Sequence, residues 1–324
     1  MAEPKAPTTK PAEYLRLARP HQWGKGAFVL IGPAYSLTLL ESWVAVLGTF
    51  LAFGFASSAC YVFNDIADRH QDAMHPRKRR RPIASGAIAP GPARLYAVLL
   101  LALAAGAVML VRPVDRVWVG SMVGLYVVNV LVYSARLKRM VILDVVSLSL
   151  GFVLRVMAGC AAVAATPTTW LLNCTFFLAM FLALGKRLGE RRTMDTQAAG
   201  AEAIRGVHRV YTDELLRMAV VVTAVGTLVT YAGYVEQQQE VFGPSIAAVA
   251  SHEEPWGFNL LWLTILPATY GLLRCIVLLE QGRYDDPTEL AVRDRGVQIA
   301  GLIFVAITAA LFLARRPELL GAGG

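Results

Sequence analysis

The chain has 324 residues, of which 56% are hydrophobic, and its mean hydropathy is +0.51. This composition is too apolar for an ordinary soluble domain. The net charge of +8 would suggest nucleic-acid binding in a soluble protein, but here the cations are concentrated in loops between apolar runs, so we expect no nucleic-acid partner. The four cysteines lie in apolar segments without paired spacing and are predicted to be reduced core residues.

Apolar runs of about 18 residues or more recur along the chain, and each is long enough to cross the ~30 Å hydrocarbon core of a bilayer. The sequence therefore predicts an all-α fold, a polytopic transmembrane helical bundle of about nine spans. Residues 1–13 are predicted to be a disordered tail, 14–318 a single transmembrane domain and 319–324 a C-terminal tail. The predicted spans cover about 26–40, 43–63, 92–111, 117–134, 141–165, 168–185, 214–235, 257–280 and 297–314.

The distribution of cations predicts the orientation of the chain in the membrane. With the N-terminus in the cytoplasm, 26 of the 31 Lys and Arg residues fall on that side, since four fall outside and Arg155 lies within a span. Such an excess is the positive-inside pattern. We therefore expect a plasma-membrane protein with a cytoplasmic polar cap that carries the active site, and with an external C-terminus.

The segment from Asn64 to Gly86 follows the second span and is rich in both carboxylates and cations. On a helix, Asp65, Asp68 and Asp72 fall at i, i+3 and i+7, so their side chains project from one face. Like charges so placed repel one another unless a cation lies among them, and oxygen ligands without Cys or His suit Mg²⁺. The spacing predicts a Mg²⁺ site for a phosphorylated substrate.

A basic run at residues 77–81 follows these aspartates. One interpretation is a charge run that only sets the topology of the chain. It leaves the aspartates unexplained, because acidic residues contribute little to orientation. Together, the carboxylates and the run can hold Mg²⁺ and neutralise the remaining phosphate charge.

A second cluster lies around the turn between the fourth and fifth spans, where Tyr133 and Lys138 are found. Asp144 and Arg155 follow on the next helix, 11 residues apart and therefore near one face. Ionisable residues inside a span are costly and are functional candidates. The alternative is an ion pair of Asp144 with Arg155 or Arg136 that only holds helices together.

Two further clusters lie after the sixth span and before the last one. Lys186 and Arg187 belong to a basic segment that could be a solvated positive-inside loop, although these two lie nearest the membrane. Residues 285–294 are acidic, and Thr288 or Asp286 could cap the final helix.

The segment before the first span contains Arg19, Trp23 and Lys25. Trp and cations together are typical of an interfacial anchor. The functional interpretation is recognition of an anionic lipid head group.

Together these motifs resemble the UbiA superfamily of intramembrane transferases. The resemblance rests on NDxxDxxxD after the second span, RPxQWxK before the first and the Tyr-Ser turn with Lys138. That superfamily binds an isoprenoid diphosphate through two Asp-rich motifs and Mg²⁺. Here GKRLGE, with Lys186 and Arg187, stands where the second motif is expected. This variant resembles the decaprenyl-phosphate phosphoribosyltransferase branch of cell-wall arabinan synthesis, although Gly26 replaces the usual Asn.

The resemblance implies a donor, 5-phosphoribosyl 1-diphosphate, and a polyprenyl monophosphate acceptor. Mg²⁺ on Asp65, Asp68 and Asp72 would neutralise the departing diphosphate, and Asn64 would ligate the metal or hydrogen-bond the donor. Lys138, Lys186, Arg187 and either Arg79 or Arg81 are expected on the donor's phosphates, and Arg19, Lys25 and Arg155 on the acceptor's. The residues predicted to bind substrate are Lys25, Arg19, Arg79, Arg81, Tyr133, Lys138, Asp144, Arg155, Lys186 and Arg187.

Two other functions stay open from the sequence. The first is a standard prenyltransferase that uses an isoprenoid diphosphate, against which the missing second Asp motif argues. The second is a lipid-binding or transport membrane protein, which fits poorly with charges concentrated at one membrane face. Acceptor length, organism, the number of Mg²⁺ ions and a homo-oligomeric state are also left open.

Overall fold

A computed structural model of the chain describes residues 11–36, 38–76, 78–196, 211–239, 258–281 and 293–314, and within 190–196 it describes the backbone alone. Every regular element in these ranges is an α-helix or a 3-10 helix, which confirms the all-α prediction. The first helix begins at Pro11, inside the predicted N-terminal tail, and the predicted C-terminal tail lies outside the described ranges.

The chain divides into two compact units. The first consists of Met1–Leu137 with Leu150–Pro167, and the second of Lys138–Ser149 with Thr168–Gly324. One helix, Leu143–Ala162, contributes residues to both. The boundaries predicted for a single domain stay a prediction.

The first unit is built around one long helix, α3 (Trp43–Ala67), on which α5 (Pro90–Val108), α6 (Arg116–Ala135) and the N-terminal segment pack. Small residues such as Ala52, Ala56 and Ala59 are fully buried along α3, so neighbouring helices approach closely. The elements are α1 (Pro11–Ala18), a 3-10 helix (Pro20–Leu30), α2 (Ile31–Tyr35), α3 (Trp43–Ala67), α4 (Arg69–Met74), a 3-10 helix (Lys78–Arg80), α5 (Pro90–Val108), α6 (Arg116–Ala135) and most of α7 (Leu143–Ala162).

The second unit has its core between α8 (Thr169–Thr196), α9 (Asp213–Gln237) and α10 (Ile265–Glu280). Phe181, Leu216 and Leu279 are fully buried there and belong to one apolar cluster. A short 3-10 helix, Leu137–Arg139, lies at the boundary of the units. The remaining elements are α8 (Thr169–Thr196), α9 (Asp213–Gln237), a 3-10 helix (Leu260–Thr264), α10 (Ile265–Glu280) and α11 (Arg295–Ala314).

Eight helices within the described ranges are long and apolar enough to cross a membrane. They match the second to ninth predicted spans. Large apolar side chains point outward on these helices, for example Leu95 in the first unit and Leu302 in the second, as expected of surfaces that face lipid. The protein is a multi-pass membrane protein. The eight helices are Trp43–Ala67, Pro90–Val108, Arg116–Ala135, Leu143–Ala162, Thr169–Gly189, Asp213–Gln237, Leu260–Glu280 and Arg295–Ala314.

The first predicted span differs from the other eight in its secondary structure. Within its predicted bounds, 26–40, lie the last residues of the 11-residue 3-10 helix that begins at Pro20 and then the five residues of α2. A 3-10 helix rises about 2.0 Å per residue, so these elements together extend roughly 30 Å, the thickness of the hydrocarbon core. Pro20 and two glycines, Gly24 and Gly26, disfavour a continuous α-helix here.

This segment runs antiparallel to α3. A Cβ on Gly54 would lie 2.8 Å from the Trp23 ring, and a Cβ on Gly26 would lie 2.7 Å from Phe50. Later residues of the segment therefore contact earlier residues of α3. The usual Asn at position 26 would require the Phe50 ring to shift, because that ring occupies the space of an added Cβ.

Candidate functional site

The acidic motif lies at a break between two helices. α3 ends at Ala67, α4 begins at Arg69, and Asp68 stands between them. The three aspartates are therefore not on one continuous helix, since Asp disfavours helix interiors and tends to end helices. Asp65 and Asp72 are buried, while Asp68 is half-buried.

Two arginines hold the buried carboxylates. Nη2 of Arg19 donates to both oxygens of Asp65, at 2.7 and 2.8 Å. Nη1 of Arg81 donates to Oδ1 of Asp65 at 3.1 Å and to Oδ2 of Asp72 at 2.6 Å. Two buried negative charges thus converge on one guanidinium nitrogen, and the four groups together are formally neutral.

Arg19 is positioned by the contacts of its neighbours with α3. Ser58 donates to the carbonyl of Ala18 at 2.6 Å and accepts from the Trp23 indole at 2.9 Å. Arg19 has a φ of 51°, in the left-handed region, where it ends α1 immediately before Pro20. Its guanidinium also lies 5.1 Å from the centroid of the Tyr61 ring.

Arg81 is positioned by a short loop that is anchored in the core. Its N–H donates to the carbonyl of Lys78 at 2.9 Å, which closes the turn after the 3-10 helix. Ile83 and Ile88 follow it and are buried in the apolar cluster that also contains Val62 of α3. The loop therefore returns the guanidinium to the end of α3.

A polar cavity of about 290 Å³ opens beside Asp65. Four arginines line it, so a polyanion such as a diphosphate is the ligand that its charge favours. Arg81 lines the cavity, whereas Arg79 is exposed and is not among the lining residues, which favours Arg81 among the two alternatives predicted from the sequence. The lining residues are Arg16, Arg19, His21, Gln22, Asp65, Arg80, Arg81 and Pro82.

The sequence interpretation missed Arg16, and it included Arg80, His21 and Gln22 only as members of the basic run and of the segment before the first span, without assigning them to the site. Arg16 and Arg19 are three residues apart in the sequence, a spacing that would place two side chains on one face of a continuous helix, although α1 ends at Ala18. That spacing was the available signal for Arg16.

The donor atoms beside this cavity fit a hard divalent cation, although no group of three His, Cys, Asp or Glu side chains among the described residues is close enough to hold one. Asp65 and Asp72 already share one cation, the Arg81 guanidinium. Carboxylate oxygens are the ligands that Mg²⁺ prefers, and Mg²⁺ commonly takes one or two of them together with phosphates and waters. Two converging carboxylates beside a phosphate-sized cavity meet that requirement.

The second unit contains a separate buried cluster around Asp144, which is fully buried. Nη2 of Arg187 forms an ion pair with its Oδ2 at 2.5 Å, and the Tyr211 hydroxyl donates to its Oδ1 at 2.8 Å. The structure thus pairs Asp144 with Arg187, where the sequence suggested Arg155 or Arg136. A long segment separates Arg187 from Asp144 in the chain, so helix spacing could not predict this pair.

Tyr211 is the main residue of this cluster that the sequence interpretation left out of the site. Its hydroxyl accepts from the backbone N–H of Ile142 at 2.7 Å, and the Arg187 guanidinium lies 5.3 Å from its ring centroid. Burial, with a further contribution from the Asp144 carboxylate, raises the pKa of Tyr211 to about 12. The phenol therefore stays protonated and keeps donating to Asp144. Ile142 has a φ of 71°, which is strained for a β-branched residue.

Arg155 lies in α7, within the first unit, and is 6% exposed. Its Nη1 donates to the Gly151 carbonyl at 2.7 Å and its Nη2 to the Tyr126 hydroxyl at 3.0 Å, while Nε is buried without a hydrogen-bond partner. The guanidinium lies 4.4 Å from the Tyr126 ring centroid and 5.4 Å from that of Phe53. No carboxylate in the described ranges forms an ion pair with it. A cation so buried in a span is costly and is a candidate for binding an anion.

The remaining predicted residues lie at the surface or partly buried. Asn64 is half-buried in the last turns of α3, and Tyr133 and Lys138 are half-buried near the end of α6. Lys25 and Lys186 are exposed. Within the acidic segment 285–294, Thr288 and Asp286 lie outside the described residues. Asp294 accepts from the N–H of Val297 at 3.0 Å and caps α11.

The fold and these clusters define a multi-pass helical membrane protein with an arginine-lined cavity beside paired carboxylates. The model of the UbiA prenyltransferase family matches residues 26–288. The chain belongs to the UbiA prenyltransferase family.

Two relatives that align with this chain over most of their length share the name decaprenyl-phosphate phosphoribosyltransferase. The chain is 31% identical over 295 residues to the decaprenyl-phosphate phosphoribosyltransferase of Corynebacterium glutamicum, covering 90% of this chain and 84% of that protein. It is 29% identical over 313 residues to the enzyme of the same name from Mycobacterium tuberculosis, covering 94% and 95%. Both alignments support the resemblance drawn from the motifs.

Among solved structures, a UbiA homolog from Archaeoglobus fulgidus bound to GPP and Mg2+ has a TM-score of 0.63 at 18% identity, covering 93% of this chain and 99% of that one. The same homolog bound to Cd2+ has a TM-score of 0.60 at 18% identity, covering 93% and 98%. These likenesses show the UbiA fold, and the structures of this homolog hold divalent metals.

Proposed function

We propose that this protein transfers the 5-phosphoribosyl group from 5-phosphoribosyl 1-diphosphate to a polyprenyl monophosphate, in a Mg²⁺-dependent reaction that supplies cell-wall arabinan synthesis. The similarity over at least 90% of the chain to enzymes named decaprenyl-phosphate phosphoribosyltransferase carries the proposal. The cavity that joins Asp65 to four arginines supports it, because the donor is a polyanion.

The reaction exchanges one phosphate ester for another at C1 of the ribose. The C1–O bond to the diphosphate breaks and the diphosphate departs with the electron pair. An oxygen of the lipid phosphate forms the new bond to C1, with inversion. The second pKa of a phosphomonoester is about 6, so this oxygen is anionic at neutral pH and needs no general base.

The residues around the cavity stabilise the departing diphosphate. Asp65 and Asp72, with Asp68 and Asn64 as further candidates, would hold Mg²⁺, which would neutralise negative charge on the leaving diphosphate. Arg81 and Arg19 bind the diphosphate from the cavity wall. The sequence assigned Arg19 to the phosphate of the lipid acceptor. Because Arg19 contacts Asp65 directly, we assign it instead to the diphosphate of the donor.

The acceptor's phosphate is assigned to Arg155 and Lys25. The support for Arg155 is its burial without an acidic partner in the part of the chain that the structure describes. The assignment of Lys138, Lys186 and Arg187 to the donor's phosphates, and of Tyr133 and Asp144 to substrate binding, rests on the sequence alone. Arg155→Gln is expected to raise the KM for polyprenyl phosphate more than the KM for the donor.

The active site is proposed to lie at the cytoplasmic face of the plasma membrane. The support is the distribution of Lys and Arg, which places the segments around Arg19 and Arg81 on the cation-rich side. The soluble donor then enters from the cytoplasm, while the lipid tail stays in the bilayer.

The direct test supplies purified protein with Mg²⁺, 5-phosphoribosyl 1-diphosphate labelled in the ribose, and polyprenyl phosphate. We expect label in the lipid extract and release of diphosphate in equal amount. Transfer from an isoprenoid diphosphate instead, without labelled lipid, would overturn the proposal and favour a standard prenyltransferase. The fold shared with a homolog bound to GPP makes that second donor the appropriate comparison.

A further inference from the structure

We propose that Arg81 is an internal counter-ion that occupies the metal-binding carboxylates until Mg²⁺ and the diphosphate group arrive together. This inference rests on the proposed function and adds how its site is controlled. The geometry that carries it is the bridge from Nη1 of Arg81 to Asp65 at 3.1 Å and to Asp72 at 2.6 Å.

The bridging guanidinium lies where a divalent cation would have to bind. Mg²⁺ requires oxygens at about 2.0–2.1 Å in near-octahedral geometry. Oδ1 of Asp65 accepts from both Arg19 and Arg81, and Oδ2 of Asp72 accepts from Arg81. A metal that binds both carboxylates must therefore displace at least Arg81.

The charges of the site disfavour the binding of Mg²⁺ without the diphosphate, and of the diphosphate without Mg²⁺. Two aspartates and two arginines sum to zero, and the aspartates are 2% and 4% exposed. A divalent cation added alone leaves a positive charge in excess in a largely buried site, and a diphosphate added alone leaves a negative one. With both ligands present the two excesses largely cancel, and Arg16 and Arg80 on the cavity wall offset the negative charge that remains.

The displaced guanidinium has a destination within the same site. Arg81 and Arg19 both line the cavity with Arg16 and Arg80, so a diphosphate there is within reach of Arg81 when it leaves the aspartates. Mg²⁺ thus frees Arg81 to bind the diphosphate, and the diphosphate, by binding Arg81, frees the carboxylates to bind Mg²⁺. Metal and diphosphate are therefore expected to bind with positive coupling, and coupling is reciprocal by thermodynamic necessity.

The test measures binding without turnover, on the full chain in detergent, with Mn²⁺ as the probe and inorganic diphosphate as the second ligand. Free Mn²⁺ is followed by electron paramagnetic resonance. In the wild type we expect saturating diphosphate to tighten Mn²⁺ binding by about tenfold or more. In Arg81→Gln we expect Mn²⁺ alone to bind about tenfold tighter than in the wild type, with the coupling reduced to below about threefold.

Arg79→Gln is the matched control, because it removes the same charge from the same basic run but at an exposed position. It should change Mn²⁺ affinity by less than about twofold, as expected for a screened surface charge. Asp65→Asn added to Arg81→Gln should abolish the gain, which assigns it to the aspartates. If Arg81→Gln fails to fold, Arg19→Gln is measured in the same way and is expected to show the same gain at Asp65.

Unchanged or weaker Mn²⁺ binding in Arg81→Gln, with diphosphate-dependent binding intact in the wild type, would overturn the counter-ion role alone. Absence of Mn²⁺ binding to the wild type even with diphosphate would contradict the metal-dependent function itself. The two failures are therefore distinguishable in one set of measurements.

Discussion

Among the residues of the first unit, Asp65 has the environment that bears most directly on the proposed reaction. It is 2% exposed and faces two guanidinium groups. Asparagine has the same shape without the charge, so Asp65→Asn leaves Arg19 and Arg81 without their shared counter-charge. We expect kcat/KM to fall by about 100-fold or more, since the residue belongs to the groups that stabilise the leaving diphosphate.

The measurement for Asp65→Asn is the initial rate of labelled lipid formation, with thermal unfolding in detergent as a folding check. Asp115→Asn is the matched control, because Asp115 is also a buried carboxylate paired with an arginine, Arg112, at 2.7 Å. It should keep wild-type activity. Full activity in a folded Asp65→Asn protein would remove this residue from the site.

Tyr211 makes a pH-dependent contribution to stability in the second unit. Burial raises its pKa from 10.0 to about 12, so the folded state holds the phenolic proton more tightly than the unfolded state. The contribution is therefore complete below pH 10 and is lost as the pH rises through about 12. Tyr211→Phe removes the hydrogen bonds to Asp144 and from Ile142 and is expected to cost about 1–3 kcal/mol at neutral pH.

The measurement for Tyr211→Phe is the midpoint of thermal unfolding of both proteins in detergent from pH 7 to 11.5. The difference between them should shrink above pH 10, because the wild type loses the contribution that the variant lacks. A constant difference across this range would contradict the assigned titration.

Among the helices, the contact between α7 and the N-terminal 3-10 helix depends on one missing side chain. A Cβ on Gly159 would collide with the backbone carbonyl of Val29. Backbone cannot move aside as a side-chain tip can, so Gly159→Ala should destabilise the protein by about 1–3 kcal/mol through overpacking. Gly106→Ala is the control, since Gly106 lies in α5 with open space where the added Cβ would lie, and the substitution should be neutral or slightly stabilising.

The readout for this pair is the thermal unfolding midpoint in detergent, combined with hydrogen exchange of residues 20–35. Faster exchange in Gly159→Ala, and not in Gly106→Ala, is expected because the 3-10 helix loses its packing partner. Equal midpoints for the two variants would show that the helices can separate at no cost.

Hydropathy was a sufficient guide to the long helices, because a run such as Arg116–Ala135 needs only length and apolar composition to be placed in a membrane. The motif likewise predicted that Asp65 and Asp72 lie close together. It could not predict that Arg19 pairs with Asp65, since those residues are 46 positions apart. The Asp144 cluster was partly missed for the same reason, because Tyr211 reaches it across 67 positions. Contacts of long sequence separation follow from packing, which helix periodicity does not describe.

At the scale of the whole molecule, the topology depends on whether residues 20–35 cross the membrane. Their contacts along α3 and their length of roughly 30 Å favour a crossing made mainly of 3-10 helix. A crossing places Leu15 and Leu40, both largely exposed, on opposite sides of the membrane. The excess of Lys and Arg assigns Leu15 to the cytoplasm.

Single cysteines at these two positions test the crossing with a maleimide that does not permeate membranes. We expect Leu40→Cys to react in intact cells and Leu15→Cys only after permeabilisation, because the hydrocarbon core separates them. Val114→Cys and Met74→Cys, also exposed, provide references for the outside and the inside. Cys60, Cys160 and Cys275 are buried, and Cys174, which is only partly buried, is replaced by Ala to keep the background low. Equal labelling of Leu15→Cys and Leu40→Cys in intact cells would make residues 20–35 a re-entrant segment and place both ends of the described chain on one side.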